Sequence, residues 1–228
     1  MTAPTVDELL ARIRIPVSSA PFDTAAGLRR LAAGTGRRTA SAELARVRQA
    51  RQTLNAVSGW VIDRPGAAEH LSRLVDDPPP DSADEPENAG AGDDDILKGA
   101  MVFACLLYLT GHQESAQFWW QLVAGAGDRT AAYCLHLHHR DLGEPREATH
   151  WYRQARTAGP DSPPLIDDVI DVMESMARYS RKHRLLRVPT ESLEPEVDRL
   201  AGLDTHGLVN RRPDRRLADR LHQVAGQH

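Results

Sequence analysis

The sequence predicts an all-α protein in which helical hairpins stack side by side, and two observations support this fold class. Residues 96–128 and 129–160 are similar to each other, with matching residues 32 positions apart, as from Gly111 to Gly143. Such a period is typical of stacked helical hairpins. In both copies the apolar residues recur every three or four positions on each side of the glycine, which predicts two helices joined by a turn.

The matching positions carry the residue types that two closely packed helices require. Small residues let the helices of a hairpin approach each other, and an aromatic fills the space against the next hairpin. The matched pairs are Gly111/Gly143, Ala116/Ala148, Trp119/Trp151, Trp120/Tyr152 and Gly127/Gly159. Pro160 closes the second copy. This pattern resembles the tetratricopeptide repeat (TPR), and the resemblance implies a short, right-handed TPR-like array of stacked helical hairpins with flanking capping helices.

The second copy departs from the repeat pattern at one position. A small residue is expected on the first helix of each hairpin, opposite the small residue of the second helix. Ala104 satisfies this in the first copy, whereas His136 occupies the matching place in the second. Either the second hairpin packs more loosely or its register differs. Two similar hairpins in an ordinary helical bundle are the alternative to a repeat array.

The N-terminal 75 residues are predicted to form helices that flank the repeats. Residues 1–40 contain two short amphipathic segments, which we expect either to dock on the main body or to bind a partner. Residues 41–75 predict a helical hairpin, with a long helix over 41–63 and a second helix opening at Pro65. This hairpin is a candidate for a diverged first repeat. The apolar face of its long helix contains Leu44, Val47, Leu54, Val57 and Val61.

Residues 76–95 form an acidic stretch without a basic residue, an aromatic or a large aliphatic. Such a segment cannot bury enough apolar surface to offset the entropy of ordering it. The sequence therefore predicts a disordered acidic linker. It would act either as a solvated spacer or as an electrostatic competitor for a basic surface.

The region after the repeats is predicted to contain a capping helix and a tail. Residues 161–187 predict a helix that covers the last repeat, with acidic residues opposite its apolar stripe. The stripe contains Leu165, Val169, Val172, Met176 and Tyr179. Residues 188–228 predict a basic C-terminal helical tail with helices near 195–201 and 213–224.

Composition indicates a cytoplasmic protein that is not an enzyme. The N-terminus lacks a secretory signal, and the longest apolar run, 100–109, is too short to cross a bilayer. We find no Gly-rich phosphate loop, nucleophile elbow or pair of catalytic carboxylates, so we expect no cofactor. Abundant Arg and Ala beside only two lysines, Lys98 and Lys182, indicate GC-rich coding of the kind found in actinobacteria.

One cluster of histidines and a cysteine has residue types that bind metals. Cys134 and His138 are one helical turn apart, a spacing that can hold a soft divalent ion. His136 and His139 lie beside them, but no CxxC or HExxH pattern is present. We expect polar or half-buried helix histidines and no metal site.

The TPR resemblance implies a non-catalytic adaptor or regulator that holds a peptide or helix of a partner protein. Bacterial transcriptional or developmental regulation is the expected setting, with a regulator such as a sigma factor as the partner. In TPR proteins the first helix of each hairpin lines the binding groove. On this chain the resemblance implies as partner-binding residues Lys98, Met101, Cys105, Tyr108, Tyr133, Leu137 and Arg140. Burial of these residues under the N-terminal helices is the alternative interpretation.

Two further hypotheses concern other partners. An Arg-rich N-terminal region could contact nucleic-acid phosphates without reading sequence, through Arg29, Arg30, Arg37, Arg38, Arg46 and Arg48. A homodimer could form through a surface made by Trp119, Trp120 and Trp151. The first hypothesis predicts binding that falls steeply with salt.

Overall fold

A computed structural model describes residues 35–75, 89–157, 168–183, 190–203, 209 and 211–225. These residues form helices and one short 3-10 turn at Thr190–Ser192, without a strand, which confirms the all-α fold class. The helices are α1 Thr35–Ile62, α2 Ala67–Val75, α3 Ala89–Leu109, α4 Gln113–Gly125, α5 Arg129–Asp141, α6 Pro145–Arg156, α7 Asp168–His183, α8 Glu194–Gly202 and α9 Arg215–Ala225. The chain divides into residues 1–43 and 44–228, and the contacts described below lie in the second unit.

The two similar segments form two hairpins, α3–α4 and α5–α6, with the same turn in each. Gly111 and Gly143 have φ of 88° and 76°, a left-handed conformation that glycine adopts without strain. One residue later, His112 N donates to Leu107 O and Glu144 N donates to His139 O, each at 2.8 Å. These bonds satisfy carbonyls that a helix end leaves open. Residues that are 32 positions apart in the sequence therefore form the same turn in the structure.

Successive helices of this region pack against each other in chain order, from α2 through α6. Trp120 is fully buried between the hairpins, with ring centroids 5.4 Å from Tyr108 and 6.1 Å from His138. The aromatic thus fills the space against the next hairpin, as the sequence predicted. This packing is consistent with a helical-repeat fold.

The second hairpin keeps the predicted register, and His136 is accommodated by a hydrogen bond. Its Nδ1 lies 2.7 Å from the carbonyl oxygen of Ala148, the small residue of α6. Because a carbonyl only accepts, Nδ1 carries the proton. The ring lies between Tyr133 and Tyr152, with centroids 5.8 and 4.9 Å away. In the second hairpin the hydrogen bond and ring contacts of His136 therefore take the place of the contact between two small residues that the repeat pattern predicts.

Helix α1 is longer than predicted, and within residues 41–62 its buried positions begin at Ala50. It begins at Thr35 instead of residue 41. Leu54, Val57 and Val61 are buried as expected, whereas Leu44 is 62% exposed and does not belong to the inward face. The second helix of the hairpin opens at Ala67 and not at Pro65, because Gly66 forms a left-handed turn with φ of 86°.

The predicted disordered linker is wrong for residues 89–95, which belong to α3, while 76–88 lie outside the described residues. Local ion pairs compensate the acidic charge of this first part of the helix. Asp95 pairs with Arg73 of α2, and Asp94 pairs with Lys98 one turn later. Such ion pairs stabilise a helix whose composition alone disfavours it.

The predicted inward stripe of α7 is wrong. Ile170, Met173 and Ala177 are the buried residues of this helix. Val172, Met176 and Tyr179 are instead 48%, 39% and 54% exposed. Both sets recur at helical spacing, so periodicity alone could not choose between them. The rotation of α7 follows from its packing on α5, where Tyr133 donates its hydroxyl to Glu174 Oε1 at 3.2 Å.

The C-terminal region returns to the first half of the array. Helix α9 packs on α2 through buried Leu217 and Leu221. Before it, Val209 N donates to Ser115 Oγ at 2.9 Å, and Val209 O accepts from Trp119 Nε1 at 2.9 Å. Trp119 is consequently only 4% exposed. Helices α8 and α9 lie close to the predicted positions, 195–201 and 213–224.

The burial of two tryptophans removes the surface that the homodimer hypothesis required. Trp119 and Trp120 are buried within the chain, and Trp151 is partly buried against the core. A second copy cannot contact all three side chains, because Trp119 is covered by the segment at Val209 and Trp120 lies between the two hairpins. Across the described ranges, no helix combines the length and apolar character needed to span a membrane.

Candidate protein-binding site

The residues expected to line the partner-binding groove are mostly buried within the chain. Met101, Cys105, Tyr108, Tyr133 and Leu137 each expose 5% or less. They belong to the same buried cluster as Leu54 and Val57 of α1. Only Lys98 and Arg140 are exposed. For these five residues the alternative interpretation is therefore the correct one: they belong to a core that they share with α1.

An ion pair fixes α1 on the inner side of α5. Arg51 Nε lies 3.0 and 2.9 Å from the two carboxylate oxygens of Asp141. The Asp141 side chain is 2% exposed, whereas that of Arg51 is 60% exposed. The hydrogen bond and the charge of Asp141 raise the pKa of Arg51. A buried carboxylate depends on this partner, so the contact favours one position of α1.

Residues of α1, α5 and α7 line a common cleft, and we call it the arginine cleft. Its volume is about 120 Å³. Three helices contribute to its walls, and each supplies one arginine. The lining residues are Arg46, Gln49, Ala50 and Thr53 of α1, Tyr133, His136, Leu137 and Arg140 of α5, and Glu174 and Arg178 of α7.

The arginine cleft carries an excess of positive charge. Arg46, Arg140 and Arg178 line the cleft together with one carboxylate, Glu174, which accepts the hydrogen bond from Tyr133. Arg178 also donates to the backbone oxygen of Glu174 at 3.3 Å. Burial raises the pKa of Tyr133, so its hydroxyl remains a donor at neutral pH. Guanidinium groups bind carboxylates through paired N–H donors. The arrangement is suited to an anionic group of a partner.

A second cleft of about 270 Å³ lies at the other end of the buried part of α1, and we call it the lysine cleft. Lys98 there pairs with Asp94, and the Arg64 guanidinium stacks 3.9 Å from the ring centre of Trp60. Its charged groups are thus engaged within the chain. The lining residues are Val61, Arg64, Pro65, Ala67, His70, Lys98, Met101, Val102, Asp128 and Thr130.

A partly buried acid at the lysine cleft, Asp128, has a structural role. Asp128 accepts a hydrogen bond from Ala131 N at 2.7 Å and caps the start of α5. Burial raises its pKa, and the backbone hydrogen bonds lower it in part. Such a cap typically contributes about 1 kcal/mol to helix stability. Asp128 is therefore accounted for without a ligand.

The structure divides the seven predicted residues among three places. Tyr133, Leu137 and Arg140 line the arginine cleft. Lys98 and Met101 line the lysine cleft, while Cys105 and Tyr108 are buried in the core. Sequence reasoning missed Gln49, Thr53 and Arg178 as cleft residues and assigned Arg46 to phosphate contacts. Arg46, Gln49 and Thr53 recur at helical spacing on α1, so the sequence indicates that they share a face. Tertiary packing decides which helix lies against that face.

The arginines of the nucleic-acid hypothesis do not form one described surface. Arg29 and Arg30 lie outside the described residues, and Arg37 and Arg38 belong to the first turns of α1. Arg46 lines the arginine cleft. Arg48 is exposed on α1 and donates to Leu44 O at 3.4 Å.

The cysteine and histidine cluster of α5 is used by the fold. His138 Nε2 lies 3.3 Å from Gln117 Oε1, and His139 Nδ1 lies 2.6 Å from Glu144 Oε2. Cys134 is buried, and burial together with the neighbouring Cys105 thiol raises its pKa. In the part of the chain that the structure describes, no three His, Cys, Asp or Glu residues are grouped to hold a metal ion.

No protein family, curated protein or solved structure matches this chain. The path of α1 and the charge of the arginine cleft are therefore the observations on which a function can rest. Both observations concern described residues of α1, α5 and α7.

Proposed function

We propose that the protein is a non-catalytic adaptor or regulator that binds a partner protein through TPR-like helical repeats. The observation that carries this proposal is the arginine cleft, where α1, α5 and α7 each place one guanidinium beside Tyr133 and a single carboxylate. Arginine and tyrosine are also among the residue types that contribute most to protein–protein contacts. A cytoplasmic setting is part of this proposal.

The occupied inner face limits how a partner can bind. Leu54 and Val57 of α1 already share the apolar cluster with Met101, Cys105 and Tyr108. The part of α3 that includes Cys105 and Tyr108 is therefore not open to a partner helix. We infer that the partner contributes an acidic segment or a terminal carboxylate to the arginine cleft, beside α1. A transcription regulator such as a sigma factor remains the predicted kind of partner.

Affinity capture with matched variants tests this proposal. Wild-type protein is immobilised and exposed to nuclease-treated actinobacterial lysate, and retained proteins are identified by mass spectrometry. We expect a protein that is retained by wild type and lost with Arg140→Glu plus Arg178→Glu, because two of the three positive charges of the cleft are reversed. Arg153→Glu, an exposed arginine on α6 outside the cleft, should retain it. Identical retention by wild type and the cleft variant would contradict the proposal.

Substitution of two neighbouring arginines distinguishes this proposal from binding to nucleic acid. Arg46 lines the arginine cleft, whereas Arg48 is exposed on the same helix outside it. Binding in the cleft should fall with Arg46→Ala and persist with Arg48→Ala. Binding to phosphates should fall about equally with both and disappear with nuclease and salt.

A further inference from the structure

Helix α7 exposes a continuous apolar stripe. Val172, Met176 and Tyr179 are 48%, 39% and 54% exposed. Their spacing of four and three residues is the spacing of the seam between two packed helices. Isolated exposed apolar side chains are common, but a line of three on one helical face indicates a contact surface.

The charges of α7 are divided between its two halves. Asp171 and Glu174 lie in the first half, and Arg178 and Lys182 lie in the second; all four are exposed. Asp171 and Lys182 are three helical turns apart and share one edge of the stripe. Met176 lies about midway between them. The helix is therefore complementary in charge to its own reversed copy.

We propose that a second copy of this chain covers the stripe, with the two α7 helices packed antiparallel across a twofold axis near Met176. Asp171 of each copy then lies across from Lys182 of the other, so the favourable pair occurs twice. A parallel arrangement would place like charges together, which is unfavourable. A twofold contact uses the same patch on both copies and closes at the dimer.

The size of the stripe determines the expected strength of this dimer. Helix α7 has 16 residues and a length of roughly 24 Å. One helix from each copy buries less than the roughly 800 Å² per partner of a standard interface. We therefore expect a dissociation constant of about 10–100 µM, in the range of weak complexes.

Sedimentation equilibrium of the full chain tests the proposal. Between about 1 and 300 µM we expect a monomer–dimer equilibrium with a single dissociation constant. Met176→Glu should weaken association by at least about tenfold, because it places two like charges at the axis. Leu122→Glu is the matched control, since Leu122 is 52% exposed on α4 outside the stripe. It should leave the constant unchanged.

A charge exchange tests the antiparallel pairing separately. Lys182→Glu should weaken the dimer severalfold, because each copy then opposes Asp171 with a second carboxylate. Adding Asp171→Lys should restore it, since the reversed pair is again complementary. This rescue would not follow from a merely structural role of either residue.

Three outcomes would overturn the proposal. Monomer at every concentration would show that another occupant, or solvent, covers the stripe. Unchanged association of Met176→Glu would place the contact elsewhere on the molecule. Failure of the double charge exchange to recover the affinity of wild type would exclude the antiparallel arrangement.

Discussion

The two hairpins have the same backbone turns but are stabilised differently at matching positions. In α3, Ala104 and Leu106 are fully buried apolar residues. In α5, the residues 32 positions later are His136 and His138, and each is bonded to a group of another helix. Similar hairpins in one chain thus use apolar packing in one case and directed polar contacts in the other.

The outer sides of the two hairpins differ as well. Trp119 is covered by the C-terminal segment and bonded to Val209, whereas Trp151 at the matching position is only partly buried. Trp120 is fully buried between hairpins, while Tyr152 is half-buried. The difference shows that burial in such an array depends on which segment packs on each hairpin, and not on the repeat pattern alone.

The largest contrast is expected between the two core aromatics. Trp120→Ala should lower the free energy of unfolding by about 4 kcal/mol, because it leaves a large cavity between the hairpins. Tyr152→Ala should cost about 1–2 kcal/mol, because its ring is only partly buried. Chemical denaturation followed by circular dichroism measures both. Equal losses would contradict the difference between the hairpins.

The polar residues of α5 should make stability depend on pH. Burial, assisted by the adjacent His139, lowers the pKa of His138 from 6.5 to about 4. The unfolded state therefore binds more protons between these values, and stability falls as pH decreases from about 6.5 to about 4. His138 should contribute up to about 3 kcal/mol to this loss.

The variant His138→Leu introduces the residue that the first hairpin has at the matching position, Leu106. Urea titrations at pH 7 and pH 4.5 measure how far the free energy of unfolding falls between these two pH values. This decrease should be smaller for the variant than for wild type. Identical losses in both proteins would mean that His138 titrates with a pKa near its ordinary value.

The ion pair between α1 and the second hairpin should have an intermediate effect. Arg51→Ala removes the charged partner of a nearly buried carboxylate, Asp141, and should cost about 2 kcal/mol. Arg48→Ala, an exposed arginine one turn earlier on the same helix, should cost less than about 0.5 kcal/mol. Thermal unfolding with both variants measures the difference. A negligible effect of Arg51→Ala would show that α1 does not depend on this contact.

The smallest effect is expected for the indole hydrogen bond of the first hairpin. Trp119→Phe removes the donor to the Val209 carbonyl and should cost about 1–2 kcal/mol. Trp151→Phe should cost less, because the Trp151 side chain is only partly buried. Hydrogen exchange of α9 amides should increase in the first variant only. Unchanged exchange would indicate that the C-terminal segment is held by α2 alone.

Part of the candidate site followed from sequence and part did not. The inner-helix residues Tyr133, Leu137 and Arg140 were predicted to bind a partner, and all three line the arginine cleft. Arg178 was not predicted to lie in this cleft, because the sequence of α7 contains two apolar stripes and either could have faced α5. Its side chain reaches the cleft only because Ile170, Met173 and Ala177 are buried.

The sequence by itself determined the all-α class, the positions of the two hairpins and the period that relates them. These features depend on local chemistry, such as glycine at left-handed turns and apolar residues at helical spacing. Tertiary structure decided the path of α1, the rotation of α7 and the return of the C-terminal segment to Trp119. These depend on which of several apolar faces bury the most surface and satisfy buried polar groups together, and no local pattern contains that information.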